Sequence, residues 1–424
     1  MIDLYLLSVI IFFGILAVLI MKDRENIDFN YFLLMKRTKR FRDILDKIAK
    51  KSILFWKIVG TIAFLVCLYY MISGVYLILN VAYLVYTGVV TQPALALAIP
   101  FPSSQTTVGP GFIGIPFWFW IVVIATILIP HESLHGIVAR AEGIKLKDVG
   151  LMLLLLQFIS IPVAIIYFIY TKTFDLTLFL AAILFSIPGA FVEPDEKQLK
   201  KSKFMTKLRI FSSGSFINIV IGLLVMFLVQ NLIWSSNFNG LIITSVNETS
   251  PAASLGLKPG MILESINDKE LKMGFDEYSF LVLTVSKSNT ENITKSMSNL
   301  ILFKTLSMYK PGDSVKLKVN EMDYNLKLGE HPDIKGFPYI GIGSKINAND
   351  ASLFLIAFPL LGMIASLNIF VGVFNILPIY PLDGGLIVKS IAEKYAKKKS
   401  NNITIAITAI MIIIILYIAF GVYI

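Results

Sequence analysis

Two histidines and a glutamate stand together in residues 117–140, a stretch that is otherwise mainly apolar. On an α-helix the side chains of His131, Glu132 and His135 fall within an arc of roughly 100°. Two imidazoles one turn apart can bind one divalent metal, and a carboxylate beside them can accept a proton from water. This is the chemistry of the His-Glu-x-x-His pattern, in which the histidines bind Zn²⁺ and the glutamate is the general base.

A five-residue pattern also arises by chance, and in a soluble helix chance would explain the match equally well. The apolar surroundings change that balance, because ionisable residues inside a membrane span are costly and rarely serve as packing. The chain has three histidines, and the pattern takes two of them. We therefore interpret the motif as a metal site.

The whole chain is too apolar for a soluble globular protein. Its 424 residues are 56% hydrophobic, with a mean hydropathy of +0.75. The formal net charge of +10 is concentrated in short segments between apolar runs, where the retention of basic loops in the cytosol accounts for it. We expect a multi-pass protein of the cell membrane that has the lipid bilayer, and no nucleic acid, as a partner.

Apolar runs of about 20 residues predict about eight transmembrane segments, with both termini outside and the basic loops in the cytosol. The runs are residues 1–21, 58–86, 117–140, 151–170, 176–190, 208–232, 353–377 and 403–424. The basic stretch 22–57 also carries apolar residues at helical spacing, namely Phe41, Ile44, Leu45 and Ile48. This spacing favours an amphipathic helix on the cytosolic leaflet, with a solvated linker as the alternative.

Composition changes between the sixth and seventh runs, where the chain is polar and strand-like and has Pro-Gly turns at Pro259 and Pro311. The predicted fold class is therefore a polytopic α-helical membrane protein with an inserted, small, β-rich or α+β domain outside the membrane. The predicted boundaries are 1–115 for the N-terminal spans and loops, 116–235 for the core with the histidine motif, 236–347 for the inserted domain, 348–400 for a second core segment and 401–424 for the last span.

A catalytic zinc takes three protein ligands, so a third ligand is needed. His331 lies in the predicted external domain, which leaves carboxylates in or beside the spans. The best of these is Asp383, in residues 375–385, where two prolines and two glycines interrupt an apolar run. Irregular backbone at membrane depth is tolerated where it is buried in protein or lines a wet cavity. Asp383 as a simple helix cap is the alternative, and the nearby histidine motif favours the ligand.

These motifs resemble the site-2 protease family of intramembrane zinc metalloproteases. The resemblance rests on His131 to His135, on Asn-x-x-Pro-x-x-Pro-Leu-Asp-Gly-Gly at 375–385, on Gly-x-x-x-Asn at 214–218 and on residues 189–195. It implies that His131, His135 and Asp383 bind zinc and that Glu132 is the catalytic base. It further implies substrate-binding roles for three residues: Gly214, Asn218 and Asn375.

The inserted domain resembles a PDZ domain of the protease-associated kind in residues 240–268. Residues 273–308 are longer than that pattern, which leaves room for a lid or an extra helix. By the same resemblance the domain is either a size filter or a site that captures a newly made carboxyl terminus. The runs within 151–190 look like an insertion whose role the sequence does not indicate.

The resemblance implies regulated intramembrane proteolysis, in which a peptide bond within or near the membrane helix of an anchored protein or peptide is hydrolysed. Counting helical rise from the ends of the spans places the site nearer the cytosol. Two other classes stay open at this stage: an inactive scaffold acting through the PDZ-like domain, and a transporter that relays ions. The scaffold has no reason to keep Glu132 with both histidines, and a relay predicts ionisable residues strung across the spans.

Overall fold

The structure, a computed structural model, divides into two units. A helical unit comprises Met1–Leu223 and Ile364–Ile424, and a β unit comprises Leu224–Met363. The described residues are 4–30, 32–90, 95–103, 106–109, 112–155, 157–172, 186–234, 238–272, 274, 290–348 and 357–421.

Six helices in the described residues are long and apolar enough to cross a membrane. They are α1 (Leu4–Lys22), α3 (Ile53–Tyr86), α4 (Phe117–Ala141), α7 (Phe204–Leu228), α10 (Phe358–Asn375) and α12 (Ser400–Phe420). A polytopic helical protein is thus confirmed, whereas the predicted count of about eight spans is not.

The two runs within 151–190 account for the difference. Residues 151–155 end strand β6 (Leu146–Leu155), and the helix that follows, α5 (Gln157–Thr171), has only 15 residues. Residues 186–190 begin strand β7 (Ser186–Pro194), and residues 176–185 lie outside the described part. The prediction of a helical span over 151–170 is therefore wrong. Hydropathy counts apolar side chains and cannot tell a strand from a helix in a short apolar run.

These strands belong to a four-stranded antiparallel sheet in the helical unit. Its order is β1 (Ile27–Asn30), β2 (Leu33–Arg37), β6 and β7. Among the described residues, strand β7 lies at one edge of this sheet, and helix α6 (Glu196–Lys201) follows it. A smaller sheet of order β3 (Leu97–Phe101), β5 (Phe112–Pro116), β4 (Thr107–Gly109) precedes α4.

The predicted amphipathic helix is present as α2 (Lys39–Lys51). The hydroxyl of Thr38 caps it by accepting a hydrogen bond from the Phe41 amide. Leu45 and Ala49 are buried in a core that α2 shares with residues of α4. Helix α2 therefore packs directly on the helix that carries the histidine motif.

Close packing draws three core helices together. Any Cβ on Gly222 of α7 would lie 2.5 Å from Ile369 Cγ1, and one on Gly372 of α10 would lie 2.7 Å from Ile219 Cγ1. Small residues of this kind let helix backbones approach in a membrane. At the end of α4, Glu142 accepts a hydrogen bond of 2.7 Å from Arg209 of α7. The helices are thus held at both ends of the region that carries the site.

The β unit has its own apolar core beneath a sheet of order β12-β11-β9-β8-β15, with β10 paired to β9. The strands are β8 (Phe238–Val246), β9 (Ile262–Ile266), β10 (Lys269–Glu270), β11 (Ser314–Val319), β12 (Met322–Lys327), β13 (Gly329–Glu330), β14 (Pro338–Tyr339) and β15 (Ile342–Ala348). The helices are α8 (Pro251–Ser254) and α9 (Thr290–Leu306). Of the long stretch 273–308, residues 273 and 275–289 lie outside the described part.

Candidate metal centre

Three side chains from two distant parts of the chain converge in the helical unit. The Nε2 atoms of His131 and His135, one turn apart on α4, are 3.2 Å from each other. The Asp383 carboxylate lies 3.3 Å from His135 Nε2 through Oδ1 and 3.5 Å from His131 Nε2 through Oδ2. One ligand atom from each residue lies within 4.8 Å of the others.

This geometry fits a tetrahedral metal. Bonds of about 2.0–2.1 Å to nitrogen and oxygen place neighbouring ligand atoms about 3.4 Å apart in a tetrahedron, close to the separations of 3.2, 3.3 and 3.5 Å. The three side chains are 9 to 15% exposed. Two imidazoles and one carboxylate form a donor set used by catalytic zinc, and they leave the fourth position open.

Asp383 reaches the histidines because the chain folds back after α10. That helix ends at Asn375, and a new helix, α11 (Asp383–Tyr395), begins with the aspartate itself. A Cβ on Gly384 would lie 1.9 Å from the carbonyl oxygen of Ile376, so the returning chain touches the segment it has just left. Only glycine permits this approach.

Gly214 provides the space in which the two imidazoles meet. A Cβ there would lie 2.3 Å from His135 Nε2 and 2.6 Å from His131 Nε2. Any side chain at position 214 would therefore occupy the place of the ligand atoms or of the metal. The expected role of Gly214 in substrate binding stays a prediction.

Hydrogen bonds with α7 orient two of the candidate metal ligands. His135 Nδ1 donates to the carbonyl of Ile210 at 2.7 Å, with the Ser213 hydroxyl 3.2 Å away. This bond leaves Nε2 as the nitrogen that can bind metal. The Ser215 hydroxyl donates to Asp383 Oδ2 at 2.8 Å, which fixes the carboxylate.

Asn218 lies against the third ligand. Its side-chain amide is fully buried, 3.1 Å from His131 Nδ1, while its Oδ1 has no hydrogen-bond partner in the described residues. When Nε2 of His131 binds metal, Nδ1 carries the proton. With the amide assigned so that Oδ1 faces His131, Oδ1 accepts a hydrogen bond from Nδ1–H. A substrate contact of Asn218 stays a prediction, and the contact observed is with His131.

Glu132 faces an open cavity beside the three ligands. Its Oε2 accepts a hydrogen bond of 2.9 Å from the backbone amide of Val192 in β7. Glu132, His135 and Asp383 line a cavity of about 530 Å³. Its lining also includes the charged residues Glu196, Lys200, Lys207, Lys389 and Glu393. The carboxylate thus lies beside the potential metal site on an open cavity that has charged residues in its lining.

A family-wide comparison bears on this site. The model of peptidase family M50 matches residues 119–418, most of the chain and all of the residues that form the site. The chain belongs to peptidase family M50. This confirms the resemblance to the site-2 protease family. A search of curated proteins finds no match.

Membership in family M50, with the apolar helices, makes this an integral membrane protein of a metallopeptidase family. Of the expected site residues of the M50 peptidase, Asn375 is not among the converged side chains. Asn375 is half-buried at the end of α10 and does not line the cavity, so its substrate role stays a prediction. His331 lies in the β unit, where its ring contacts Tyr339 at 5.1 Å between centroids.

Sequence reasoning about the M50 peptidase missed the residues that orient its ligands. Ser213 and Ser215 are completely buried and reach neither lipid nor water. A signal was present, because residues 212–215 form a small, polar run in an otherwise apolar helix. Small polar residues of that kind mark helix–helix interfaces in membranes. Nothing in the sequence marked the backbone amide of Val192, because every residue except proline carries such an amide.

Proposed function

We propose that this M50 peptidase is a zinc-dependent endopeptidase that hydrolyses a peptide bond within or near the membrane helix of an anchored protein or peptide. The observation that carries the proposal is the convergence of His131, His135 and Asp383 beside Glu132 on a cavity with a charged lining. An ion relay or an inactive scaffold gives no reason for this set. Regulated intramembrane proteolysis is the process to which such an activity belongs.

His131, His135 and Asp383 would hold the zinc ion. When bound, zinc supplies the Lewis acidity that activates water and polarises the scissile carbonyl. Glu132 takes the proton from the attacking water and delivers it to the leaving amine. Its hydrogen bond from the Val192 amide aims the carboxylate and keeps one oxygen, Oε1, available for the proton.

The substrate helix must unwind, because helical hydrogen bonds shield its carbonyl groups. Strand β7 offers a surface for the unwound segment. Val192 pairs with Val149 of β6 in the sheet register, yet its amide points to Glu132 and therefore away from β6. The free edge of β7 thus faces the catalytic carboxylate, and an extended substrate lying along it would gain backbone hydrogen bonds next to Glu132.

We place the cavity towards the cytosol. Three of its charged residues, Lys200, Lys207 and Lys389, are basic, and basic segments beside membrane spans favour the cytosolic side. The β unit, which is polar and follows α7, then belongs outside. This orientation brings water to the metal from the cytosol.

We propose that the β unit is a PDZ-like module that captures a carboxyl terminus, in preference to a passive filter. A cavity of about 280 Å³ beside edge strand β15 is lined by Leu302, Phe303 and Ile340 among other apolar residues. An edge strand next to an apolar pocket suits a peptide that adds as a strand and buries its last side chain. Fluorescent peptides ending in a free carboxylate should bind the full protein more tightly than their amidated forms. Equal binding of the two forms would favour the filter.

The decisive experiment compares Glu132→Gln with Ser133→Ala, a neighbouring change outside the site. The glutamine variant should retain one zinc ion per chain, measured by elemental mass spectrometry, and lose hydrolysis. Membrane fragments that accumulate in cells carrying Glu132→Gln are isolated and incubated with each purified protein. Wild type and Ser133→Ala should cut them inside the membrane segment.

Two results would contradict the proposal. One is cleavage that persists in the Glu132→Gln protein. The other is a wild-type protein that carries zinc but leaves the accumulated fragments intact.

A further inference from the structure

Helix α2 is placed where the chain enters the membrane. It ends at Lys51, and the spanning helix α3 begins at Ile53. The indole nitrogen of Trp56 in α3 donates a hydrogen bond of 3.1 Å to the carbonyl of Ile48 in α2. Tryptophan is enriched at the level of lipid headgroups. Helix α2 is therefore tied to α3 at the membrane surface.

The apolar side of α2 is wider than the part of it that packs against the protein core. At 100° per residue, Leu45 and Ala49 occupy one half of this side, and both are buried against the protein. Ile44 and Ile48 occupy the other half and are 49% and 39% exposed. In the part of the chain that the structure describes, this half of the apolar side is therefore only partly covered by protein.

Basic residues border this exposed half. On the helical wheel Arg40, Lys47 and Lys51 fall within about 100° of Ile44 and Ile48. All three are exposed, and none forms an ion pair with any residue that the structure describes. We call these five residues the α2 strip: Arg40, Ile44, Lys47, Ile48 and Lys51.

Both acidic residues of α2 are paired with residues outside the strip. Asp46 forms ion pairs with Lys50 and with Arg140 of α4, and Asp43 pairs with Arg42. The carboxylates of α2 therefore form their ion pairs elsewhere, and the three cations of the strip lie beside the exposed isoleucines.

We propose that the α2 strip binds the headgroups of anionic phospholipids. Ile44 and Ile48 enter the boundary between headgroups and acyl chains, while Arg40, Lys47 and Lys51 contact the lipid phosphates. The occupant follows from charge complementarity, because three unpaired cations around an apolar centre match an anionic headgroup above its acyl chains.

Lipid held there would bear on the site through α2 itself. A Cβ added to Gly136, the residue after His135, would lie 2.9 Å from Leu45 Cδ1, so α2 touches the backbone of the motif helix. Asp46 also pairs with Arg140, further along the same helix. A lipid that holds α2 in place therefore steadies the end of α4 that follows the histidines. Any effect on hydrolysis rests on the proposed function; lipid binding does not.

The test measures lipid binding without measuring cleavage. The full protein in detergent is titrated with dioleoylphosphatidylglycerol or dioleoylphosphatidylcholine, and bound lipids are counted by native mass spectrometry. Phosphatidylglycerol should bind about tenfold more tightly or better, given the contribution of each basic residue near an anionic surface. The variant Arg40→Gln/Lys47→Gln/Lys51→Gln should lose this preference. A matched variant, Lys258→Gln/Lys310→Gln/Lys327→Gln, removes three exposed charges of the β unit and should retain it.

Hydrogen exchange locates the lipid. Phosphatidylglycerol should slow amide exchange several-fold in α2 of the wild type and leave the strip variant unchanged. Zinc content equal to that of the wild type shows that the variant is folded. The proposal is overturned by equal affinity for the two lipids in the wild type. It is also overturned by unchanged affinity for phosphatidylglycerol in the folded strip variant, or by bound lipid that leaves α2 exchange as it was.

Discussion

The two units use large apolar side chains in opposite ways. In the β unit they are inside: Leu241, Leu263 and Leu317 are completely buried. In the helical unit many of them are outside: on α3, Leu65 is 60% exposed and Tyr76 is 71% exposed. The β unit follows the hydrophobic effect of a protein in water. The helical unit has the surface of a protein surrounded by lipid.

The interior of the helical unit also holds small and polar residues beside its apolar core. On α7 the buried residues include Ser212, Ser213, Gly214, Ser215 and Asn218. Lipid chains are as apolar as leucine, so burying leucine between helices gains little and packing relies on small residues and hydrogen bonds. The difference teaches that buried residues of the β unit form an apolar core, whereas the buried polar residues of α7 surround the candidate metal site. Four tests by substitution follow, from the largest expected effect to the smallest.

The sharpest test is Gly214→Ala, which adds one methyl group to the polar interior. That methyl would lie 2.3 Å from His135 Nε2, so it displaces a ligand atom. We expect zinc content to fall to background, with an affinity loss of more than about a thousandfold. Gly14→Ala is the control, since a Cβ there meets nothing within 4 Å. Full zinc content in Gly214→Ala would break the assignment of the site.

Two leucine substitutions, one in each unit, compare the buried apolar residues of the β unit with the exposed ones of the helical unit. Leu263→Ala leaves a cavity in the core of the β unit and should cost about 2–5 kcal/mol of its opening free energy. Leu65→Ala removes a lipid-facing side chain and should change stability by less than about 0.5 kcal/mol. Amide exchange of β8 and β9 reports the first change, and exchange of α3 reports the second. Similar costs for the two would contradict the comparison.

A smaller effect is expected where a buried polar group acts through a ligand. Asn218→Ala should weaken zinc affinity by about 10–100-fold, because His131 loses the group that orients it. Asn218→Asp keeps an oxygen that accepts from Nδ1 and should restore most of the affinity. Zinc affinity is measured by competition with a chelator. If Asn218→Asp lowers the zinc affinity as much as Asn218→Ala does, then Oδ1 is not the atom that faces His131.

The smallest effect concerns the charged contact between α2 and α4. Hydrogen bonds from Lys50 and Arg140 hold the pKa of Asp46 below its usual range. A lowered pKa in the folded state means that the pairing stabilises the protein above about pH 4 and is lost as the pH falls further. The Tm difference between wild type and Asp46→Asn should therefore narrow below pH 4. It should be modest throughout, because the pair is partly exposed; Asp43→Asn is the control.

Local patterns in the sequence predicted local structure well. The spacing of His131 and His135 sets both rings on one face of α4, and the spacing of Leu45 within a basic stretch predicts α2. Both rest on the 3.6-residue period of a helix, which each segment carries by itself. For residues 151–155 and 186–190 the same local reading predicted membrane segments, whereas the structure has strands there. Their strands depend on pairing with each other and with β2, and no local period records that pairing.

The sequence by itself determined the membership in family M50, the apolar spans and the two rings on one helical turn, because these depend on residue types and short spacings. Only the tertiary structure decided that Asp383 lies 3.3 Å from His135 and that Ser215 holds its carboxylate. It also decided that the Val192 amide of β7, which points away from β6, donates a hydrogen bond to Glu132. These contacts join residues far apart in the chain, and their geometry depends on how closely glycines let the helices approach, which spacing along the sequence does not specify.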